Sequence, residues 1–224
     1  MEEIIQINEL VRSRRKTIAL MITNDAELVV RAPLHTPLSY IKRLVLEKGD
    51  WIRKKILEVS RRAAPTVKEY LNGEEFLYLG GIYKLQIVQN ADIGIALRDK
   101  LYLLERLLPN APEVLKQWYK TQALNVISER VAWYGRTSEL KPSSIKISDA
   151  KRRWGSCGSK GTLNFNWRLI MAPLAVVDYL VVHELVHLEH NNHSPAYWSR
   201  VRAILPDYRE RVQWLRENGR LLRI

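Results

Sequence analysis

The stretch that most constrains this chain is the largely apolar run 176–182, which leads directly into His183-Glu184-Leu185-Val186-His187. The run favours a buried helix. Because residues four apart lie on one face of a helix, His183 and His187 would stand one turn apart on the same side. Two imidazoles so arranged can share one Zn²⁺ at roughly 2.0–2.1 Å, and His-Glu-x-x-His is a signature of such sites. The alternative is that these histidines cap the helix or fill its core.

A third ligand has to come from one of the two histidines that follow. His190 continues the same helical face, but it lies about 4.5 Å beyond His187 along the axis, away from a metal held by the first two histidines. His193 follows Asn191-Asn192, which favours a helix stop because Asn tolerates the left-handed conformation. A turn there could bring His193 back to the metal, so His193 is the predicted third ligand.

Three protein ligands leave a fourth position for water, which is typical of a catalytic zinc site. Glu184 directly follows the first ligand and is placed to act as the base on that water. Hydrolysis also needs a donor for the developing oxyanion; the candidates are Tyr197, His190 and Arg153. A carboxylate that orients a ligand histidine is expected nearby, and Asp178 or Glu189 could supply it unless they are exposed or cap a helix.

The composition indicates a cytoplasmic protein without a membrane span. The chain is 46% hydrophobic and 27% charged, as expected of a globular protein. It contains no uncharged apolar stretch of about 18 residues, the length that a membrane helix needs. Its N-terminus lacks a signal-peptide pattern, and the single cysteine excludes an intramolecular disulfide.

The net charge of +12 bears on possible partners. The excess of basic residues leans toward the half that carries the histidine motif. A basic surface can attract nucleic acid, nucleotides or acidic partners, and it can equally be a solvated surface. The sequence shows no RNA-binding or helix-turn-helix signature that would favour the first interpretation.

The first part of the chain is rich in predicted strands. A helix is predicted over 37–59, with a break at Gly49-Asp50 and one basic face. A turn is expected at Asn24-Asp25, and two glycines form a hairpin turn at Gly80-Gly81. The Pro-bounded segment 109–113 is the clearest boundary, so we predict a β-rich N-terminal domain over residues 1–110. Its strands are predicted at 4–7, 17–22, 27–31, 75–79, 82–88, 93–97 and 101–104.

Residues 111–224 are predicted to form a helix-rich metal domain. A long amphipathic helix covers about 113–134, and a strand covers 144–148. Residues 151–169 indicate a Gly-rich turn between two strands that lead into the metal helix after Pro173. A strand beside that helix could pair with an extended peptide by strand addition, or it could simply cover the helix. The whole chain is therefore predicted to be α+β.

Four segments within about residues 140–205 together carry a family resemblance: Arg153–Cys157, Asn166–Leu169, Val182–His187 and Asn192–Trp198. They are similar to the YgjP-like family of predicted metal-dependent hydrolases, related to the SprT-like and WLM zinc peptidases. The resemblance implies a zincin-like metallopeptidase domain with an active-site helix, zinc bound by His183, His187 and His193, and a catalytic Glu184.

Three functions are carried forward. The first is zinc-dependent hydrolysis of peptide bonds in a peptide or protein substrate. The second is metal-dependent pyrophosphohydrolysis of nucleoside triphosphates, an activity also associated with this group. The third is a nucleic-acid-associated module whose metal is structural. The chain has no P-loop and no evident two-metal carboxylate cluster, so the peptidase is the leading hypothesis.

Overall fold

The computed structural model describes residues 5–23, 26–60, 68–90 and 94–224. The chain divides into two compact units, Met1–Thr66 and Val67–Ile224. Within the described residues, no helix is both long and apolar enough to cross a membrane.

The first unit combines a three-stranded sheet with two helices. Strands β1 (Glu9–Ser13), β2 (Ala19–Ile22) and β3 (Leu28–Pro33) lie in the order β1-β3-β2, with β1 parallel and β2 antiparallel to β3. Helices α1 (Leu38–Glu47) and α2 (Gly49–Ser60) follow, separated where the break was predicted. The core of this unit is apolar and comprises Leu28, Val30, Ala32, Ile41, Val45 and Ile52.

The first strand, Glu9–Ser13, lies further along the chain than the predicted strand at 4–7. Arg12 sits within β1 and donates to the carbonyl oxygens of Leu34 at 2.9 Å and Thr36 at 2.8 Å. These bonds stabilise a charged residue at a position where no strand was predicted. Ile4 and the predicted turn at Asn24-Asp25 lie outside the described residues.

The second unit begins with a four-stranded sheet of order β4-β5-β7-β6. Strands β4 and β5 form the predicted antiparallel hairpin, and Gly80 at its turn has a φ of 82°, which glycine adopts without steric cost. The predicted strand start at residue 93 lies outside the described residues. The strands are β4 (Glu75–Tyr78), β5 (Gly81–Val88), β6 (Ile95–Leu97) and β7 (Leu101–Leu104).

The predicted domain boundary at 110 differs from the structure, which divides the chain after Thr66. The strands before residue 110 share one core with the helices after it: Phe76 and Leu103 belong to the same cluster as Leu115. Pro109 lies in a short 3₁₀ helix that runs directly into the next α-helix. The prolines therefore redirect the chain without separating two hydrophobic cores.

The rest of the second unit places helices on a small mixed sheet. Strand β10 pairs parallel with β8 and antiparallel with β9, so that β9 lies at the edge of the order β8-β10-β9. The α+β fold class is confirmed. The elements are α3 (Ala111–Ser138), β8 (Ser144–Ser148), β9 (Gly155–Cys157), β10 (Thr162–Asn166), α4 (Leu174–Val186), α5 (Pro195–Ile204) and α6 (Tyr208–Asn218).

Helix α4, which carries His183 and Glu184, is the central element of this unit. It packs against α3, α5, α6 and β9, and most of its residues from Val176 to Val186 are buried. A helix that is apolar on all sides has to be enclosed by other elements. Its last turn therefore has a fixed position relative to the edge strand β9 and to the start of α5.

A carboxylate next to β8 ties the sheet to its surroundings. Asp149 accepts a hydrogen bond from Trp167 Nε1 at 2.9 Å and forms ion pairs with Arg168 and, at 3.3 Å, Lys116. Burial acts to raise the pKa of Asp149, but these donors and positive charges outweigh it and lower the pKa to about 2. The ionised form of Asp149 is therefore the one that stabilises this junction.

Candidate metal centre

Three histidines converge at the end of α4. The helix ends at Val186, with His183 in its last turn and His187 at its C-cap. The chain then turns back, so that the His193 ring centroid lies 5.0 Å from that of His183 and 4.8 Å from that of His187. The Nε2 atoms of His193 and His183 are 3.3 Å apart, and one potential ligand atom from each of the three residues lies within 4.8 Å of the others. One metal ion could be bound by all three.

His190, whose side chain was considered as an alternative ligand, contacts the site through its backbone carbonyl. The carbonyl oxygen of His190 lies 2.9 Å from Nδ1 of His187. A hydrogen on that Nδ1 leaves the Nε2 of His187 with its lone pair free for a metal. On the other ligand, the Tyr179 hydroxyl lies 3.3 Å from Nδ1 of His183. When this hydroxyl accepts a hydrogen bond from Nδ1–H, the Nε2 of His183 is free for a metal as well.

Tyr197 contacts the histidines His183 and His187. Its side chain is fully buried, and its hydroxyl donates to the His183 carbonyl oxygen at 2.9 Å. Its ring lies 4.7 Å from that of His187. Ser194 caps α5 by accepting from the Tyr197 backbone N–H. The Tyr197 hydroxyl was one of the predicted oxyanion donors, but here it donates to the His183 carbonyl. In this arrangement Tyr197 therefore orients a candidate ligand.

Burial favours the neutral forms of His183 and His193. Desolvation, together with the charges of His187 and His193, lowers the pKa of His183 to about 3. Burial and the charge of His187 also lower the pKa of His193. A neutral imidazole is the form that binds a metal, so these ligands need no deprotonation near neutral pH.

Glu184 lies beside the histidines in an enclosed position. Its side chain is buried, and its Oε2 atom has no hydrogen-bond partner. Burial raises the pKa of Glu184 to about 8, and the charge of Arg153 opposes the rise. An unpartnered buried carboxylate oxygen is costly unless something absent from the polypeptide satisfies it.

The space for Glu184 depends on a glycine that sequence reasoning did not single out. Gly155 of β9 lies so close to Glu184 that a Cβ atom at this position would be 2.8 Å from both Cδ and Cγ of the glutamate. Glycine permits such close approach because it has no side chain. The sequence showed a Gly-rich turn in this region, but it did not show that Gly155 contacts α4.

The two predicted orienting carboxylates bind arginines. Asp178 holds Arg130 of α3 through two bonds of 2.6 and 3.0 Å. Glu189 pairs with Arg200 of α5 at 3.1 Å. In the described structure these carboxylates thus join α4 and the turn after it to neighbouring helices. The Nδ1 atoms of His183 and His187 are instead contacted by the Tyr179 hydroxyl and the His190 carbonyl. Arg153 is exposed on the loop before β9.

The donor set fits a metal ion with an open coordination position. Three imidazoles share one space, and a buried carboxylate with a free oxygen lies beside them. Structural zinc sites are closed by four protein ligands, whereas catalytic sites use three and a water. The arrangement is therefore that expected of a metal-dependent hydrolase, with three histidine ligands and an adjacent glutamate.

The chain belongs to the YgjP-like family. The family model described as "YgjP-like, metallopeptidase domain" matches residues 16–218. The class of this chain is therefore that of the metallopeptidases, and the predicted resemblance to the YgjP-like family is confirmed. A comparison with curated proteins found no match.

Two solved structures show a partial similarity. One is the crystal structure of the metallopeptidase zymogen of Pyrococcus abyssi abylysin, at 18% identity and a TM-score of 0.39, covering 43% of this chain and 96% of that one. The other is the metallopeptidase zymogen of Methanocaldococcus jannaschii jannalysin, at 18% identity and a TM-score of 0.34, covering 39% of this chain and 93% of that one. The similarity is confined to less than half of this chain.

Proposed function

We propose that this chain is a zinc-dependent peptidase that cleaves peptide bonds in peptides or proteins. His183, His187 and His193 would bind the zinc, and Glu184 would act as the general base. The proposal is carried by one observation: three imidazoles converge beside a buried carboxylate whose Oε2 has no partner. The single cysteine suits a reducing compartment, so we place this activity in the cytoplasm.

The chemistry divides between the ion and the side chains. Zinc bound by three protein ligands lowers the pKa of a coordinated water to about 7 and polarises the scissile carbonyl. Glu184 would take a proton from the attacking water and pass it to the leaving amine. Tyr179 and the His190 carbonyl would hold two of the imidazoles in the tautomer that exposes Nε2.

For the developing oxyanion we propose Arg153. The Tyr197 hydroxyl already donates to the His183 carbonyl, whereas Arg153 is exposed on the loop that enters β9 and its charge acts on Glu184. A guanidinium near the reacting carbonyl can stabilise negative charge as it develops. The His190 imidazole is the other candidate, and Arg153→Met compared with His190→Ala separates the two through kcat.

The edge strand supplies a way to hold the substrate. Within the described residues β9 has a neighbour on one side only, β10. An extended peptide could add to its open side by main-chain hydrogen bonds. Because Gly155 of β9 contacts Glu184, a peptide bound there would pass beside the proposed general base.

The test measures zinc content and cleavage on the same preparations. Glu184→Gln should keep its zinc and lose about 10²–10⁴-fold in turnover on casein, the usual cost of losing a general base. His193→Ala should lose zinc far more than the matched control His190→Ala. Equal zinc in the two histidine variants, or full turnover by zinc-loaded Glu184→Gln, would refute the assignment. Pyrophosphate release from nucleoside triphosphates and salt-dependent DNA binding, measured in parallel, test the other two hypotheses.

A further inference from the structure

A second feature of the metal domain lies next to the candidate metal centre without being part of it. A cavity of about 550 Å³ opens between α5 and α6, within the range of small-ligand pockets. We call it the arginine pocket. The residues that line it and bear on its chemistry are Trp198, Tyr208, Val212, Arg202, Arg209 and Arg216.

The pocket is linked to the metal centre through stacked rings. Trp198 stacks on His193, with centroids 5.6 Å apart and an interplanar angle of 24°. On its other side Trp198 stacks on Tyr208 at 5.4 Å and 18°. One aromatic side chain therefore contacts both a proposed zinc ligand and the pocket, so a substrate that reaches the zinc lies one ring away from the pocket.

The charges of the pocket are not neutralised by the protein. Arg202, Arg209 and Arg216 are exposed, and none of them forms an ion pair with a carboxylate in the part of the chain that the structure describes. Nearby acidic residues have other partners: Asp207 pairs with Arg211 at 3.0 Å, and Glu217 accepts from Gln213. Three cations around one cavity repel one another unless an anion enters.

A second basic segment lies near the candidate metal centre. Lys151, Arg152 and Arg153 are exposed on the loop before β9, and the charge of Arg153 reaches Glu184. Basic groups therefore flank the proposed zinc from two separate segments of the chain. A cleft lined by one sign of charge attracts ligands of the opposite sign.

We propose that the arginine pocket is a substrate subsite that binds a carboxylate of the peptide near the bond to be cleaved. The guanidiniums would bind the carboxylate by charge-assisted hydrogen bonds, and the stacked Trp198 and Tyr208 would contact its methylene groups. The carboxylate could belong to an acidic side chain or to the C-terminus of the peptide. This inference rests on the proposed peptidase function for its substrate, but its central test is a binding measurement that needs no cleavage.

The experiment uses fluorescein-labelled peptides and the zinc-loaded full chain with Glu184→Gln. Fluorescence anisotropy compares a short alanine–glutamate peptide with its alanine–glutamine twin, each with a free and an amidated C-terminus. We expect the glutamate peptide, the free C-terminus, or both to bind about tenfold more tightly, as a charge-assisted hydrogen bond predicts. The pair of termini shows which source supplies the carboxylate.

The pocket variants then locate the preference. Arg202→Gln, Arg209→Gln and Arg216→Gln should each reduce it, and the triple variant should abolish it while the neutral peptide binds as before. Arg106→Gln is the matched control, because Arg106 is exposed but does not line the pocket. These side chains are on the surface, so thermal unfolding should be unchanged.

Three outcomes of the peptide measurements would overturn the subsite. These are equal binding of all four peptides, a preference that survives in the triple variant, and loss of preference in Arg106→Gln. Tighter binding of a nucleoside triphosphate, lost in the triple variant, would also overturn it by assigning the pocket to phosphate. If acidic peptides bind as expected but none is cleaved by the zinc-loaded native chain, the proposed function fails and the subsite stands.

Discussion

Gly155→Ala tests whether the edge strand and the general base are as tightly packed as the structure indicates. A Cβ atom at residue 155 would lie 2.8 Å from both Cδ and Cγ of Glu184 and closer still to Oε1. Atoms that close to a Cβ have to move. Glu184 belongs to the buried helix α4, and Gly155 is paired with Phe165 of β10. Either the glutamate changes rotamer or the strand separates from the helix.

The size of the effect follows from these contacts. Overpacking in a rigid interior costs about 1–3 kcal/mol of the free energy of unfolding. A displacement of a catalytic group by about 1 Å can cost about 10²-fold in rate, and full loss of the base costs up to about 10⁴-fold. We therefore expect kcat to fall by at least about 10²-fold. Zinc content should be unchanged, because the atoms nearest to the added Cβ all belong to Glu184.

The assay compares this variant with an alanine at Gly158, the residue that directly follows β9. A Cβ at Gly158 would meet Thr162 O at 3.5 Å, an ordinary contact, so Gly158→Ala should keep its turnover. Zinc per chain, urea unfolding and casein cleavage are measured for both. Wild-type turnover in Gly155→Ala would refute the close packing of Gly155 on Glu184. An equal loss in Gly158→Ala would show that the whole hairpin is sensitive and would also refute the argument.

Three further predictions concern the support of the site. Asp178→Asn breaks a largely buried pair with Arg130 and should lower the free energy of unfolding by about 3 kcal/mol, which urea denaturation measures; an unchanged midpoint would contradict it. Tyr197→Phe leaves the His183 carbonyl without its donor and should cost about 1–3 kcal/mol with weaker zinc binding, to be checked by chelator competition. Because the pKa of Asp149 is lowered from 3.8 to about 2, its contribution is complete above about pH 4 and is lost as pH falls toward 2. The difference in urea midpoint between wild type and Asp149→Asn should therefore be constant from about pH 7 to 5 and shrink below about pH 4.

Much of the candidate site follows from local chain geometry. The spacing of His183 and His187 on an apolar helix determines which face they share. The axial rise of a helix disfavours His190, and the Asn191-Asn192 turn allows His193 to return; in the structure its ring lies beside the other two. Each of these inferences concerns residues that are separated by only a few positions in the sequence, and over such short separations backbone geometry varies little.

The domain boundary shows where such reasoning fails. Two prolines near residue 110 locally resemble a linker, yet Phe76 before them and Leu115 after them share one core. The predicted position of the first strand was wrong for a related reason. Arg12 lies in β1, where its guanidinium donates hydrogen bonds to the carbonyl oxygens of Leu34 and Thr36. Both outcomes depend on residues more than twenty positions away in the chain.

By itself the sequence determined the α+β class, the buried helix that carries His183 and Glu184, and the convergence of three histidines beside that glutamate. Helix periodicity and the turn propensity of asparagine act locally, so a pattern can express them. Only the tertiary structure decided that Gly155 makes room for Glu184, that a backbone carbonyl orients His187, and that Trp198 joins the metal centre to an arginine pocket. These contacts form between segments brought together by burial of the common core, and no spacing within the sequence encodes their distances.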